Sequence, residues 1–381
     1  MIRLVLVIPT LDRSGAEKQF ALLATHLPRD KFDVHVVALT RGGPYAAELE
    51  AAGVPVTVLG KRLRFDPLAG FRLRRLLQEL RPDIVHSWLF AANSYVRLVA
   101  SRSGARPRLV VSERCVDVWK AGWQLALDRR LIRKTDLLIG NSQAVAEFYR
   151  DLGYPAERLR VIPNAVVPPQ QPEVSREQLC EELGFPADAR LVAYVGRFAQ
   201  QKRVTDLIWA CQLLRQSNPL ARLLLFGDGP ERDRLIDYAR RVEVSDYVRF
   251  VGHRDDAPSL LHRTDVFWLA SDFEGMSNSL MEAMACGKPV VVSDIPPNRE
   301  LVTHGEHGYL LDVGDSVGFA QFTRKLFDEP DLAERLGNAA RRRMLSDFSV
   351  ERMVGSHIEL YEQLSTPLPS SVPLDSPPGH R

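Results

Sequence analysis

An α/β fold with two Rossmann-like, doubly wound domains facing each other across a cleft is predicted by three features of the 381-residue sequence. Short apolar runs bounded by turn residues alternate with helical stretches, which is typical of strands buried on both faces of a parallel sheet. The alternation pauses over residues 163–189 and then restarts. The chain is also too long for one ordinary core, and its length suits two domains.

Seven strands are predicted in the first half of the chain. They cover residues 4–10, 33–40, 54–59, 83–88, 108–112, 136–141 and 159–162. Polar or amphipathic helical stretches lie between most of them, as expected for alternating strands and helices. Residues 163–189, which are rich in Pro and Glu, predict a linker with one short helix.

Six strands and three closing helices are predicted in the second half. The strands cover residues 191–195, 221–226, 248–251, 266–270, 290–293 and 309–311, and the helices cover about 315–328, 331–346 and 349–364. We therefore expect four parts, which are an N-terminal domain over 1–170, a C-terminal domain over 171–348, a last helix over 349–364 and a disordered, Pro-rich tail over 365–381.

The composition is that of a soluble globular protein, with 45% hydrophobic and 26% charged residues. No apolar run approaches the ~18 residues of a transmembrane helix. The apolar start is only about a strand long, so we interpret it as the first buried strand and not as a signal peptide. The four cysteines are scattered without a C-x-x-C pair. This argues against a zinc site and a disulfide framework, and it predicts a cytoplasmic protein.

The two halves of the chain carry opposite charge. Residues 1–170 hold 26 Lys and Arg against 16 Asp and Glu, a net charge of +10. Residues 171–381 hold 24 against 32, a net charge of −8, so that the whole chain has a net charge of +2. A basic half and an acidic half suggest different partners for the two domains.

The most informative stretch contains two glutamates eight positions apart, Glu274 and Glu282. Ser277, Asn278 and Ser279 lie between them and are typical helix-starting residues, whose side chains accept hydrogen bonds from first-turn amides. One carboxylate is therefore expected just before a helix N-terminus and the other just inside it, with free amides between them that suit an anion. Two hydroxyl-binding carboxylates around a phosphate-binding helix end suit a nucleotide sugar.

Two cations follow the first strand of the second half, in the segment Gly196-Arg197-Phe-Ala-Gln-Gln-Lys202. Cations at the carboxyl end of a strand can neutralise a diphosphate and stabilise it as a leaving group without a metal. Two solvated surface cations are the alternative.

Two further strand ends carry glycine. Gly15 opens a helix after the first strand, where a residue without Cβ lets a backbone amide approach a phosphate closely. His253 follows a glycine at a later strand end, where the backbone can bind the edge of a base. Ordinary turns are the alternative at both places.

Several signatures are absent from the sequence. The first loop has no G-x-G-x-x-G, and the chain has no D-x-D, G-x-S-x-G or H-E-x-x-H. These absences argue against a dinucleotide fingerprint, an aspartate-bound metal diphosphate site and the common hydrolases. We therefore expect no metal and no other cofactor.

With these motifs the chain resembles the retaining glycosyltransferases of the GT-B fold known as family 4, the glycosyl transferases group 1. The resemblance covers about residues 1–364. Its specific parts are Glu274-x7-Glu282 with the small-residue stretch that follows, and Gly196-Arg197 with Lys202.

The resemblance implies a task for each of these residues. Glu282 would bind the ribose hydroxyls of the nucleotide, and Glu274 would bind the hydroxyls of the donor sugar and orient it. Arg197 and Lys202 would hold the diphosphate and stabilise its departure, so that Arg197, Lys202 and Glu274 are the implied catalytic residues. The other implied donor-binding residues are Gly15, Gly196, His253, Asn278 and Ser279.

The resemblance also implies an arrangement of the two domains. The donor would lie in the C-terminal domain and the acceptor against the N-terminal domain. The last helix would cross back to pack on the N-terminal domain.

The chain departs from the family pattern at one place. Many members carry a histidine near the end of the fifth strand, where it touches the donor sugar, whereas Glu113 and Arg114 stand here. His86, at the end of the fourth strand, is the nearest alternative. All three are therefore candidate sugar or acceptor contacts. Arg114 either binds an anionic acceptor or an acidic sugar, or forms an ion pair within its loop.

The activity that the resemblance implies is metal-independent transfer of a sugar, of hexosyl or N-acetylhexosaminyl type, from a nucleotide-diphosphate sugar to an acceptor hydroxyl with retained configuration. Cell-surface polysaccharide, lipopolysaccharide or glycolipid biosynthesis is the expected setting. A nucleotide-sugar 2-epimerase of the same fold and a non-catalytic nucleotide-sugar-binding protein are the alternatives. A search for products without an acceptor, and a turnover assay, would discriminate among them.

A basic, amphipathic stretch points to a further partner. Residues 61–81 carry seven cations and two acids, and residues 129–134 form a second basic run. An apolar face is expected from Phe71, Leu73, Leu76, Leu77 and Leu80. Such a helix either rests on an anionic membrane or packs its apolar face on the sheet, and the sequence is compatible with both interpretations. We therefore expect a glycan or lipid-linked acceptor and peripheral contact with the inner face of the cell membrane, and no nucleic acid.

Overall fold

The computed structural model describes residues 1–100 and 106–365. The strands of its first sheet are β1 (Ile2–Thr10), β2 (Phe32–Arg41), β3 (Val56–Val58), β4 (Ile84–Trp88), β5 (Arg108–Glu113), β6 (Leu137–Gly140) and β7 (Leu159–Val161). The strands of its second sheet are β8 (Arg190–Val195), β9 (Ala221–Phe226), β10 (Val248–Gly252), β11 (Val266–Leu269), β12 (Val290–Ser293) and β13 (Gly308–Leu311). Every predicted strand is present, with ends that differ by at most two residues.

Helices cover both faces of the two sheets. In the first half they are α1 (Gly15–His26), α2 (Pro44–Ala51), α3 (Pro67–Leu80), α4 (Leu89–Val99), α5 (Gly122–Leu131) and α6 (Gln143–Asp151). In the second half they are α7 (Arg176–Glu182), α8 (Val204–Ser217), α9 (Arg232–Arg241), α10 (Ala257–Leu260), α11 (Asn278–Ala285), α12 (Pro296–Leu301), α13 (Ser316–Asp328), α14 (Pro330–Asp347) and α15 (Val350–Ser365). Apart from Ser365, the tail predicted to be disordered lies outside the described residues.

Both sheets are parallel and doubly wound, which confirms the predicted fold class. The first has the order β3-β2-β1-β4-β5-β6-β7, and the second has the order β10-β9-β8-β11-β12-β13. The strand order therefore reverses between β1 and β4 in one sheet and between β8 and β11 in the other. Ligands of open α/β sheets bind at such switch points, outside the carboxyl ends of the strands. The loops after these four strands are therefore expected at the ligand site.

The last helix, α15, packs on the first sheet although it follows the second in sequence. Met353, Val354, Leu360 and Tyr361 lie in the hydrophobic core beneath the first sheet. A helix that buries this much apolar surface against the other half of the chain fixes the two halves relative to each other.

The apolar face of α3 is narrower than the sequence suggested. Leu73 and Leu77 are buried, but Phe71 is 66% exposed, so Phe71 does not share the face by which the helix packs on the sheet. Residues two positions apart on a helix point about 200° apart, because each residue turns the helix by about 100°. Phe71 therefore faces solvent when Leu73 faces the sheet. None of the helices in the described part of the chain is long and apolar enough to cross a membrane.

Candidate functional site

A cleft of about 1180 Å³ lies between the two sheets. It is lined by loops that follow β1, β4 and β5 of the first sheet and β8, β9, β10 and β11 of the second. Among the residues predicted from the sequence, eleven line this cleft, namely Gly15, Glu113, Arg114, Gly196, Arg197, Lys202, His253, Glu274, Asn278, Ser279 and Glu282. His86 is the predicted site residue that does not line it.

Lys202 and Glu274 lie side by side at the switch point of the second sheet. Lys202 ends a 3₁₀ turn after β8, and its Nζ atom is 2.5 Å from Oε1 of Glu274 in the loop after β11. Ser271 Oγ donates a second hydrogen bond, of 2.7 Å, to the same oxygen. Arg197, from the same loop as Lys202, is exposed and forms no ion pair within the described residues. The site therefore offers one paired and one unpaired cation beside a nearly buried carboxylate.

Gly275 explains how the Glu274 loop approaches the other domain. A Cβ atom on Gly275 would lie 2.0 Å from the carbonyl oxygen of Arg114, so only glycine fits. Val116 N also donates a 3.3 Å hydrogen bond to Glu274 O across the cleft. The loop after β5 and the loop after β11 are thus in direct backbone contact, which positions Glu274 at the junction of the domains.

Glu282 is held by a residue that the sequence analysis missed. Lys18, one turn into α1, places its Nζ atom 2.5 Å from Oε1 of Glu282, which is 6% exposed. Ser277 begins α11 as expected, since its Oγ accepts a hydrogen bond from Leu280 N. Nothing in the sequence around Lys18 marked it, because its partner lies 264 positions away and is reached only through the docking of the two domains.

The side chain of Asn278 joins the domains. Its Nδ2 donates to Gly15 O at 2.9 Å, and its Oδ1 accepts from Asn164 Nδ2 at 2.8 Å and from Gln19 Nε2 at 3.2 Å. Asn164 Nδ2 also donates to Met276 O. The side-chain groups of Asn278 are thus engaged in the protein, and only its backbone remains for the contact predicted there.

His86 does not reach the cleft, which corrects its assignment as a sugar or acceptor contact. Its side chain is fully buried in β4 beneath α15. Nδ1 shares a 2.6 Å hydrogen bond with the Tyr361 hydroxyl, and Nε2 shares one of 2.7 Å with Ser112 Oγ. Burial lowers the pKa of His86 well below its ordinary value, so the ring is neutral. Both ring nitrogens are used within the protein, and His86 has a structural task.

Arg114 is not in an ion pair within the described residues. Its guanidinium lies 3.5 Å over the Trp88 ring, and Nη1 donates to Asn164 Oδ1 at 3.3 Å. Nε and Nη2 are buried without a hydrogen-bond partner in the described chain. Burial lowers the pKa of Arg114 to about 9. Of the two predicted alternatives, the loop ion pair is therefore wrong.

Glu113 ends β5 beside a buried group of charges that the sequence did not reveal. The group, which we call the Lys120 cluster, consists of Arg97, Glu113, Asp117, Lys120 and Asp128. Lys120 Nζ lies 2.9 Å from Asp117, 3.1 Å from Asp128 and 3.5 Å from Glu113. The five residues come from α4, β5, α5 and the loop before α5, so no local motif could have predicted their meeting.

Exposed aromatic side chains gather next to one end of the cleft. Phe65 and Trp123 are 66% and 42% exposed and meet edge to face, with ring centroids 5.8 Å apart. The Arg64 guanidinium lies 4.9 Å over the Trp123 ring. Phe90, whose ring centroid is 5.9 Å from that of Trp123, lines the cleft and links this group to it. We call the surface formed by Arg64, Phe65 and Trp123 the aromatic patch.

Family comparison covers both halves of the chain. The model of the glycosyl transferases group 1 matches residues 175–343, and that of glycosyltransferase family 4 matches residues 13–168. The glycogen synthase of Mycobacterium tuberculosis is 32% identical over an alignment that covers 77% of this chain and 72% of that protein.

Two bacterial relatives have names that specify a process or an acceptor. The lipopolysaccharide core biosynthesis glycosyltransferase LpsE of Rhizobium meliloti is 34% identical, and the alignment covers 60% of this chain but only 64% of that protein. An Escherichia coli relative is 26% identical over 88% of this chain and 90% of its own, and it is named as a UDP-Gal:alpha-D-GlcNAc-diphosphoundecaprenol alpha-1,3-galactosyltransferase.

Solved structures share the architecture. Anabaena Alr3699/HepE in complex with UDP-glucose superposes with a TM-score of 0.85 at 24% identity, covering 95% of this chain and 100% of that one. The sucrose-phosphate synthase of Thermosynechococcus elongatus has a TM-score of 0.78 at 19% identity, covering 96% and 99% of the two chains. At these identities the likeness establishes the two-domain fold.

Proposed function

The chain belongs to the group 1 glycosyl transferases and is a glycosyltransferase of the GT-B fold, and from that premise we propose the reaction that it catalyses. It moves a sugar from a nucleotide-diphosphate sugar to an acceptor hydroxyl, with retained configuration and without a metal. The acceptor belongs to a cell-surface polysaccharide, lipopolysaccharide or glycolipid. The observation that carries the proposal is the arrangement of Arg197, Lys202, Glu274 and Glu282 around one cleft, at the switch point of the second sheet.

The charges of this donor end, defined as those four residues, suit the parts of a nucleotide sugar. Arg197 has no partner in the described chain, and Lys202 lies 2.5 Å from Glu274, so both cations are within reach of a diphosphate in the cleft. Glu274 then accepts hydrogen bonds from the sugar hydroxyls, and Glu282 from the ribose hydroxyls. The backbone at His253, which also lines the cleft, contacts the base.

The catalytic contribution of these residues is alignment and charge neutralisation. Arg197 and Lys202 stabilise the negative charge that develops on the departing phosphate. Glu274 fixes the anomeric carbon relative to the acceptor. The departing phosphate oxygen lies on the same face as the attacking hydroxyl and accepts its proton, so no protein nucleophile is required.

A thermal-shift screen against UDP, GDP, ADP and their sugars tests the donor class. A ligand that binds only the folded state raises stability by about 2.7 kcal/mol at a hundredfold excess over Kd. We expect one nucleoside diphosphate series to stabilise the protein. The anomeric signal of the product in ¹H NMR then tests whether the configuration is retained. The same measurement with and without EDTA tests whether a metal is required. An inverted product, or strict dependence on metal, would contradict the proposal.

We further propose that the acceptor is lipid-linked and that the protein contacts an anionic membrane surface. The net charge of +10 over residues 1–170 and the basic residues 61–81 support this. Exposed aromatic rings beside Arg side chains, as in the aromatic patch, are typical of proteins that rest at a membrane interface. The name of the Escherichia coli relative, which acts on a diphosphoundecaprenol-linked sugar, gives independent support.

Flotation with vesicles tests the membrane contact. We expect the protein to float with phosphatidylglycerol-containing vesicles and not with pure phosphatidylcholine, and Phe65→Ser to weaken flotation. Trp209→Ser is the matched control, because Trp209 on α8 is also 40% exposed but lies outside the patch. Absence of flotation with both vesicles would contradict the membrane contact and leave the reaction itself untouched.

A further inference from the structure

The Lys120 cluster contains more negative than positive groups. Asp128 pairs with Arg97 at 2.5 Å, and Asp117 is the carboxylate nearest to Lys120, at 2.9 Å. Glu113 is the third carboxylate and is farther from Lys120, at 3.5 Å. Three carboxylates therefore share two cations, and all five side chains are nearly or fully buried. Glu113 is the acid left without a cation of its own.

Glu113 is anchored by a neighbouring side chain and also lines the cleft. Asn93 Nδ2 donates a 2.9 Å hydrogen bond to Oε1, and Ser87 Oγ in turn donates to Asn93 Oδ1 at 2.7 Å. Within residues 1–100 and 106–365, Oε2 of Glu113 accepts no hydrogen bond. The residue also lines the cleft. One oxygen is thus anchored, and the other is available to a ligand.

The position of Cys115 brings the end of β5, where Glu113 lies, next to the loop that carries Glu274. The backbone of Cys115 pairs with Gly275 across the cleft. The pKa of the Cys115 thiol is raised to about 12, chiefly by burial, and charges on both sides of the cleft also affect it, including Glu113, Glu274 and Lys202. Glu113 therefore lies on the acceptor-domain side of the place where Glu274 is expected to hold the sugar.

The surroundings of Glu113 hold its pKa near neutrality. Burial is the main cause that raises the pKa of Glu113 to about 7; the charge of Lys120 opposes this rise, and Asp117 and Asp128 add to it. The other charged or titratable groups that face it from the packed elements are Arg97 on α4, Arg114, Cys115, Asp117 and Lys120 on the following loop, Asp128 on α5, Tyr149 on α6, and Tyr154. The carboxyl is protonated below about pH 7 and charged above it.

Resting on the proposed function, we propose that Glu113 is a specificity-determining residue for the acceptor. Its free oxygen accepts a hydrogen bond from a hydroxyl of a neutral acceptor sugar, next to the bond that forms. Above about pH 7, where Glu113 is charged, the excess negative charge of the Lys120 cluster disfavours an acceptor with a carboxylate at that position, since like charges in a buried setting repel strongly.

The charge state of Glu113 should then control how well the acceptor binds. A hydrogen bond to a charged acceptor group is roughly twice as strong as one between neutral groups. Transfer is therefore expected to become more efficient for a given acceptor as the pH rises through about 7, because the carboxyl loses its proton. Lys120 keeps this carboxyl and the loop from Arg114 to Ala121 in place, since its ammonium contacts both.

The first experiment needs no acceptor. Full-length protein labelled with ¹³C at the glutamate carboxyl carbon is titrated by NMR from pH 5 to pH 9, and the spectrum of Glu113→Gln identifies the Glu113 signal. We expect one carboxyl that is missing in Glu113→Gln to titrate near pH 7. A Glu113 signal that titrates near pH 4.5, as an exposed glutamate does, would overturn the proposal.

The second experiment measures transfer to named acceptors. Octyl β-D-glucoside and octyl β-D-glucuronide, which differ by one carboxylate, are compared with UDP-glucose, UDP-galactose and UDP-N-acetylglucosamine as donors. We expect the glucoside to be preferred. Its kcat/KM is expected to rise about tenfold between pH 6 and pH 8 in the wild type and to be flat and low in Glu113→Gln. Donor Kd is expected to be unchanged by the substitution.

The control is Glu300→Gln. Glu300 is another partly buried carboxyl, whose pKa is raised by burial, and it accepts hydrogen bonds from Gln143 N and Ala144 N away from the cleft. Its variant should keep the wild-type pH profile. An unchanged profile in Glu113→Gln, or a preference for the glucuronide, contradicts the proposal. A wild type that binds none of the nucleotide sugars contradicts the proposed function instead, and the NMR titration still decides whether Glu113 changes charge.

Discussion

The two ends of the cleft differ in how their charged side chains are balanced. At the donor end, Glu274 lies 2.5 Å from Lys202 and Glu282 lies 2.5 Å from Lys18 of the other domain, and both lysines are partly exposed. At the acceptor end, defined as the Lys120 cluster and the loop that follows β5, three carboxylates share two cations in the interior. Paired charges at the surface of a cleft can exchange partners for a ligand at little cost, whereas an unbalanced buried group changes its protonation instead. We therefore expect the donor end to set the rate and the acceptor end to set specificity and pH dependence.

Lys202→Ala gives the largest expected effect and tests the donor end. The variant should lower kcat by about 10²–10³, because a stabilising charge for the departing phosphate is lost. The donor Kd should change much less than kcat, since most donor contacts remain. Stopped or coupled assays of nucleotide release measure kcat, and calorimetry measures the donor Kd. An unchanged kcat would remove Lys202 from the leaving-group role.

Glu282→Gln is expected to weaken nucleotide binding and not the chemical step. Replacing a charged hydrogen-bond acceptor for the ribose should cost about 1.5–3 kcal/mol, or roughly 10–100-fold in Kd. At saturating donor, kcat should stay within a few-fold of the wild type. A large fall in kcat at saturation would show that Glu282 takes part in the chemistry, and the division of tasks between the two glutamates would be wrong.

Tyr361→Phe tests whether His86 beneath the acceptor end is structural. Removing the hydroxyl leaves His86 Nδ1 buried without its 2.6 Å partner, which should cost about 1–3 kcal/mol of stability. Transfer by the folded enzyme should be unaffected. Thermal unfolding and activity measured well below the melting temperature distinguish these effects. A loss of activity without a loss of stability would show that His86 contributes to the reaction and is not only structural.

Lys18→Met is expected to have the smallest effect. The Lys18 side chain is 31% exposed, so solvent screens its ion pair with Glu282, and its loss should cost at most about 1 kcal/mol of stability. We expect the melting temperature to fall by a few degrees at most. A loss of stability comparable with that of Tyr361→Phe would mean that the Lys18–Glu282 ion pair behaves as a buried pair, and the proposed difference between the two ends of the cleft would be wrong.

The fold and the donor end were predictable from the sequence because their signals are local. Apolar runs of strand length marked all thirteen strands of the described chain. Three donor-end residues follow a strand, and Glu282 lies in the helix that begins after Ser277. Glu274 and Glu282 are separated by a single helix start, so their spacing alone brings them to one place. The tasks assigned to these residues remain predictions that the experiments above address.

The acceptor end was not predictable because its contacts are distant in sequence. Lys120 meets Glu113 and Asp128 only after three elements pack together, and Lys18 meets Glu282 only when the domains dock. His86 was misjudged for a related reason. Its strand position suggested the cleft, but α15, from the far end of the chain, covers it.

Calorimetric titration of UDP, GDP and ADP into the wild type, Glu282→Gln and Glu113→Gln tests the central claim most directly. We predict that one nucleoside diphosphate binds the wild type, that Glu282→Gln weakens its binding at least about tenfold, and that Glu113→Gln leaves it unchanged. Equal binding by the wild type and Glu282→Gln, or equal weakening by both substitutions, would contradict a cleft with separate donor and acceptor ends.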